Sequence, residues 1–195
     1  MAAGSEEYGP LGDDARHLAL DELEAGLAAL PPPPSDHGRL TLIVARHADG
    51  TRHTHDQIEL SPDGGVPGDR WGRLLADRPE MQLTAIRHDV AELIGNGQEL
   101  TVFGDNLFVD LNLTADNLPV GTRLRVGQAL VEVSPMPHDG CAKFKKRFGT
   151  DALRFVSGKA LRAQNLRGIY WTALEPGTVR VGDAIEVLSR PEEAE

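Results

Sequence analysis

The sequence predicts a mainly β protein: an antiparallel β-barrel with a few short helices and one helix added at the N-terminus. Three observations lead there. Short β-branched, alternating runs recur through residues 39–188, such as Leu40-Thr41-Leu42-Ile43-Val44-Ala45 and Leu107-Phe108-Val109-Asp110-Leu111. Turn clusters such as Asp63-Gly64-Gly65 and Pro67-Gly68-Asp69 punctuate them. Helical periodicity is confined to a few stretches, so a layered βαβ array is not expected.

The 195 residues suit one main domain with an appendage. Residues 1–38 form an acidic extension, residues 39–188 the barrel, and residues 189–195 an acidic tail. The formal net charge of −10 sits mostly at the ends. Residues 1–38 carry eight acids and one base, and the last seven residues carry three acids and one base, which leaves the body near −1. No broad basic patch appears, so nucleic acid is not an expected partner. No apolar run approaches the ~18 residues of a membrane span, and the N-terminus lacks the basic and apolar regions of a secretory signal. A single cysteine cannot form an internal disulfide, and a reducing, cytoplasmic setting is expected.

Residues 1–12 are small, acidic and broken by Gly and Pro, a composition that favours disorder. Residues 13–30 follow as a helix. Leu20, Leu23, Leu27 and Leu30 recur at spacings of three and four, early Asp residues suit its start, and Pro31 to Pro34 end it. This helix is expected to pack across the main domain. Further strands are expected at 57–60, 81–86, 169–174 and 183–188, and a hairpin at 122–126 and 129–134 around Gly127. A short helix is expected from His88, closed by Gly95-Asn96-Gly97. Phe144 to Leu166 reads as an inserted helical stretch. Arg125-Val126-Gly127-Gln128-Ala129-Leu130 is echoed 55 positions later by Arg180-Val181-Gly182-Asp183-Ala184-Ile185; both read as strands turning at Gly.

The chemistry is expected at Pro135-Met136-Pro137-His138-Asp139-Gly140-Cys141-Ala142-Lys143. The prolines end the preceding strand, Gly140 allows a bend beside the thiol, and Lys143, Lys145, Lys146 and Arg147 follow it. Nearby cations favour the thiolate, which is both nucleophile and metal ligand. A free cysteine also serves as a small buried hydrophobe, and both readings stand at this point. His138 is a candidate proton shuttle, or a surface histidine. Lys145, Lys146 and Arg147 are expected on a solvated helix face. If extended, His53 and His55 would share one face, and with His138 and Cys141 they offer a rival four-ligand zinc set; a hairpin turn or the pocket rim is the other placement.

Several blocks, in order, resemble the MOSC domain family (molybdenum cofactor sulfurase C-terminal domain). They are Gly65-Val66-Pro67-Gly68-Asp69-Arg70-Trp71, Gly104-Asp105-Asn106-Leu107 and Leu118-Pro119-Val120-Gly121-Thr122-Arg123-Leu124-Arg125-Val126-Gly127. Cys141, at the family's characteristic cysteine, follows, and then Gly168-Ile169-Tyr170 and Pro176-Gly177-Thr178-Val179-Arg180-Val181-Gly182-Asp183. The resemblance runs from about Gly38 to Leu188. It implies a pterin-bound molybdenum cofactor, with Cys141 as metal ligand or as sulfur carrier. Cofactor contacts are then expected from Asp69, Arg70, Asn106, Asp139 and Lys143, with Cys141 and His138 as the catalytic pair. Arg70 and Arg73 suit phosphate; Asp69 and Asn106 can equally brace their own loops. Trp71 departs from the His that many members carry.

The resemblance implies reduction of N- or S-oxygenated small molecules at the molybdenum. One cysteine cannot hold an iron–sulfur cluster, so electrons would come from an external reductase. The alternatives are transfer of sulfur as a Cys141 persulfide between donor and acceptor proteins, and a non-catalytic binding barrel.

Overall fold

The computed structural model describes residues 9–191. The disorder expected at residues 1–12 falls largely outside them, as does most of the acidic tail. Ten strands are found among the described residues: β1 (His37–Arg46), β2 (Arg52–His55), β3 (Gln57–Leu60), β4 (Leu83–Arg87), β5 (Leu107–Asp110), β6 (Arg123–Val126), β7 (Ala129–Val133), β8 (Ile169–Glu175), β9 (Gly177–Arg180) and β10 (Ala184–Ser189). The helices are α1 (Leu20–Ala29), α2 (Trp71–Leu74), α3 (His88–Gly95) and α4 (Ala142–Ser157).

Seven strands close into a barrel in the order β1-β10-β6-β7-β8-β4-β5, with β5 returning to β1. The long strand β1 makes closure possible. One edge pairs with β5 at Arg39–Ile43, while the other pairs with β10 at His37–Arg39 and with β2 at Ile43–Arg46. A bulge between Leu40 and Leu42 lets Leu40 and Ile43, three residues apart, both point inward. Strands β3 and β9 form a separate two-stranded ribbon.

Alternation sorts the apolar residues into two cores. Leu83, Ala85, Leu107, Val109, Leu124, Val131 and Trp171 fill the barrel. Val44, Ile86 and Phe108 point outward on the same or neighbouring strands, into a second core with Leu23 of α1, Val90 and Ile94 of α3, and Phe144, Phe148 and Phe155 of α4. Strand β4 is therefore buried on both faces.

The pairing is antiparallel except between β4 and β5, which run parallel. Helix α3 lies between them in sequence and serves as the crossover that a parallel pair requires. The β6–β7 hairpin forms as expected, Val126 facing Ala129 across the turn. Gly127 and its echo Gly182 both take positive φ, +54° and +94°, which fits the reading of two like turns.

Three elements differ from the sequence-based expectation. The N-terminal helix begins at Leu20, after a 3-10 turn at Asp14–Arg16. Glu22 explains the start: its carboxylate accepts from the Ala19 N–H at 2.8 Å. The helix expected over 144–166 runs from Ala142 to Ser157 and breaks at Gly149, where φ is 92° and ψ 171°. Strand β2 was not expected, because Arg-His-Thr-His carries no apolar alternation.

Candidate functional site

Cys141 is exposed and stands just before α4, its carbonyl accepting from the Lys145 N–H. The thiol faces a cavity of about 160 Å³. Around it converge Arg46 from the end of β1, Arg52 from the start of β2, Arg70 ahead of α2, Lys143 and Arg147 of α4, and Arg167 ahead of β8. His138, Asp139, Phe144, Tyr170 and the Gly104 backbone complete the wall.

Two buried carboxylates hold this cationic wall in place. Asp69 is 5% exposed. It accepts from Arg46 Nε and Nη2 at 2.8 Å each, from the Arg46 and Trp71 backbone N–H groups, and from Asn106 Nδ2. Burial alone would raise this carboxyl; hydrogen bonds and charge from Arg46 outweigh it and hold it below the usual range. Asn106 is fully buried and fully used: its oxygen accepts from the Thr84 N–H and hydroxyl, and its nitrogen donates to Val44 O and Asp69. The second carboxylate, Asp105, is fully buried and binds Arg167 at 2.7 Å. The Arg167 guanidinium also lies 5.0 Å from the Phe144 ring centre.

The remaining arginines crowd one another. Arg52 is pushed down to about 10, first by burial and then by the charges of Arg147, Arg70 and Arg46. Burial also lowers Arg70, with Arg46 adding to the effect. Arg147 is lowered chiefly by burial. Its Nε donates to the Pro10 carbonyl at 3.1 Å, so the N-terminal segment crosses one side of the mouth. The Nε atoms of Arg52 and Arg167 are buried without a partner among the described residues.

The structure therefore brings together Cys141, His138, Asp139, Arg70 and Lys143, all expected from the sequence, in one wall. It places Asp69 and Asn106 beneath the wall, where their polar atoms are already engaged within the chain, the bracing alternative of the two expected for them. Asp139 stands at the rim, exposed, 3.4 Å from Arg162. His138 departs from the expected shuttle near neutral pH. Its side chain is 8% exposed, and burial, then Arg167 and Arg46, drive it well below 6.5, so it is neutral at pH 7.

Arg73 is exposed and outside the cavity. Trp71 is buried and donates from its ring to the Arg78 carbonyl at 3.0 Å, a packing role. Lys145 and Lys146 are exposed as expected, but Arg147 is 6% exposed and turns into the cavity. The zinc set is not assembled. His53 stacks near His47, with ring centres 4.3 Å apart, and no group of three His, Cys, Asp or Glu among the described residues is placed to hold a metal.

Arg46, Arg52, Asp105, Arg167 and Tyr170 were not anticipated. Arg46 had a usable signal, a cation ending an apolar strand; Asp105 and Tyr170 lay inside quoted blocks without being singled out.

The MOSC domain model matches residues 80–186, more than half of the chain. The chain belongs to the MOSC domain family. Solved structures share the fold. YuaD from Bacillus subtilis is 20% identical with a TM-score of 0.58, over 80% of this chain and 97% of YuaD. YiiM from Escherichia coli is 22% identical with a TM-score of 0.54, over 80% and 72% of the two chains. YiiM from Geobacillus stearothermophilus is 20% identical with a TM-score of 0.51, over 78% and 76%. No curated protein matches the chain.

The MOSC domain family is associated with the molybdenum cofactor, a pterin bearing phosphate and metal. The site fits parts of that group. Buried, unpartnered Arg52 and Arg167 donors suit an anion, and an exposed thiol suits a soft metal. A cavity of about 160 Å³ is smaller than the ~300–1,000 Å³ of sites for drug-sized ligands, so it would enclose one end of such a molecule. Among the described residues no helix is long and apolar enough to cross a membrane.

Proposed function

We propose that this MOSC domain protein binds the molybdenum cofactor at Cys141 and reduces N- or S-oxygenated small molecules there, with electrons from an external reductase. One observation carries the reading: an exposed thiol at the mouth of a small cavity walled by guanidinium groups. Cys141 would ligate the metal, and Arg52, Arg70 and Arg147 would hold anionic oxygens of the cofactor. Arg46 and Arg167, fixed by Asp69 and Asp105, keep the field positive without having to move when a ligand arrives. When bound, the cofactor supplies two-electron oxygen-atom exchange. The reaction takes two electrons from the reductase and two protons, and releases water. His138, neutral at pH 7 and lining the cavity, would accept a hydrogen bond from the substrate, and the protons would come from solvent.

The test is turnover of an N-oxide by the cofactor-loaded full chain with a chemical electron donor. Loss of a supporting residue around a metal typically costs about 10–100-fold, so loss of the ligand in Cys141→Ala should cost more than about 100-fold. Undiminished turnover in that variant would contradict the reading.

Exposure of Cys141 favours a second reading, in which a persulfide on its sulfur is passed to a partner protein. Arg70 and Arg147 line the same cavity and would steady the persulfide anion. A labile sulfur adduct on Cys141, seen by mass spectrometry in metal-free protein, would favour this reading over the first.

A further inference from the structure

Beneath the cavity, two buried polar atoms face each other without a partner. His138 Nδ1 and Asp105 Oδ1 are 3.8 Å apart, and neither has a hydrogen bond among the described residues. The gap is too long for a hydrogen bond and too short for an intervening water. Asp105 cannot turn away: it is fully buried, and its other oxygen is held by Arg167 at 2.7 Å. The imidazole is confined as well, its ring centre 4.6 Å from that of Tyr170.

A neutral imidazole carries its proton on one nitrogen and a lone pair on the other. If the lone pair were on Nδ1, it would point at a carboxylate across a dry gap, where the repulsion is poorly screened. A proton on Nδ1 makes the same contact attractive. Nδ1 is buried, and Nε2 lies on the opposite side of the ring of a residue that lines the cavity.

We propose that Asp105 is a positioning residue that holds His138 as the Nδ1–H tautomer, leaving Nε2 as a neutral hydrogen-bond acceptor in a cavity otherwise lined mainly by donors. The proposal rests on the reading of this cavity as a substrate site and deepens it. It also narrows the substrate class: the molecule presents an N–H or O–H group to Nε2 beside its oxygenated centre. A protonated imidazole formed at Nε2 would face the Asp105 carboxylate, as in the buried carboxylate–histidine pairs of other enzymes.

The test is nitrogen-15 NMR of the histidine rings in the full-length chain at neutral pH, with His138→Asn identifying the resonance by its loss. The expected result is Nδ1–H, whereas a histidine ring free in water favours Nε2–H. Finding Nε2–H at His138 in the wild type overturns the proposal, and so does an unchanged tautomer in a folded Asp105→Ala variant. In that variant the expected result is loss of the Nδ1–H preference. If Asp105→Ala does not fold, the wild-type spectrum decides alone. The measurement needs neither metal nor turnover, so it can fail while the proposed reductase activity stands, and the reverse.

Discussion

Asp69 braces the cavity wall from beneath. It accepts five hydrogen bonds, three of them from Arg46, a buried residue whose guanidinium reaches on to the Gly104 carbonyl. Removing one partner of a buried pair leaves the other charge uncompensated, which costs about 3–5 kcal/mol. Asp69→Asn should lose that much in urea denaturation, despite its nearly unchanged shape. The pH dependence follows from the direction of the shift. The Asp69 carboxyl titrates below its ordinary value when folded, so its stabilisation is fully present above about pH 3.9 and is lost as pH falls through the folded value. The wild type should therefore lose stability on acidification below about pH 4 more steeply than Asp69→Asn. Equal stability of the two proteins at pH 7 would remove the brace from the account.

Helix α4 places Cys141, Lys143 and Arg147 on the cavity, and its geometry depends on a break. Gly149 has φ 92° and ψ 171°, a region occupied almost solely by glycine. The break also seats the N-terminal segment: His17 lies where a Cβ on Gly149 would fall, 3.0 Å from its Nδ1, and His17 Nε2 is 3.1 Å from the Arg147 carbonyl. Gly149→Ala should destabilise the fold by about 1–3 kcal/mol in thermal or urea unfolding, and a change below a few tenths would contradict the requirement. The break was not legible in the sequence, because Phe144, Phe148, Ala152, Phe155 and Val156 keep a helical rhythm across it. Strand β2 was hidden for the opposite reason. Its pairing with β1 is made by backbone, and its four polar side chains carry no alternation, although one of them is Arg52.

For the whole molecule, the alternating runs carried most of the fold. Leu40 to Arg46, Leu107 to Asp110 and the hairpin around Gly127 all lie where their patterns put them. The parallel pairing of β4 with β5 was not readable, since alternation reports which face is buried and not which way a neighbour runs. The site was half legible. Cys141, His138, Asp139 and Lys143 are close in sequence, so one loop announced them. Arg46, Arg52 and Arg167 lie far from it and from one another, and only barrel closure brings them to the same cavity. That closure gathers cations in a chain of formal charge −10, whose net negative charge sits mostly at its ends. If this cavity and Cys141 together hold a molybdenum-bearing group, the bound metal depends on the thiol. The most direct test is elemental analysis of molybdenum in full-length wild type and Cys141→Ala, both made in a host that synthesises the cofactor. Close to one molybdenum per wild-type chain is expected, with most of it lost in the variant. Wild type without molybdenum, or a variant that retains as much, would contradict it.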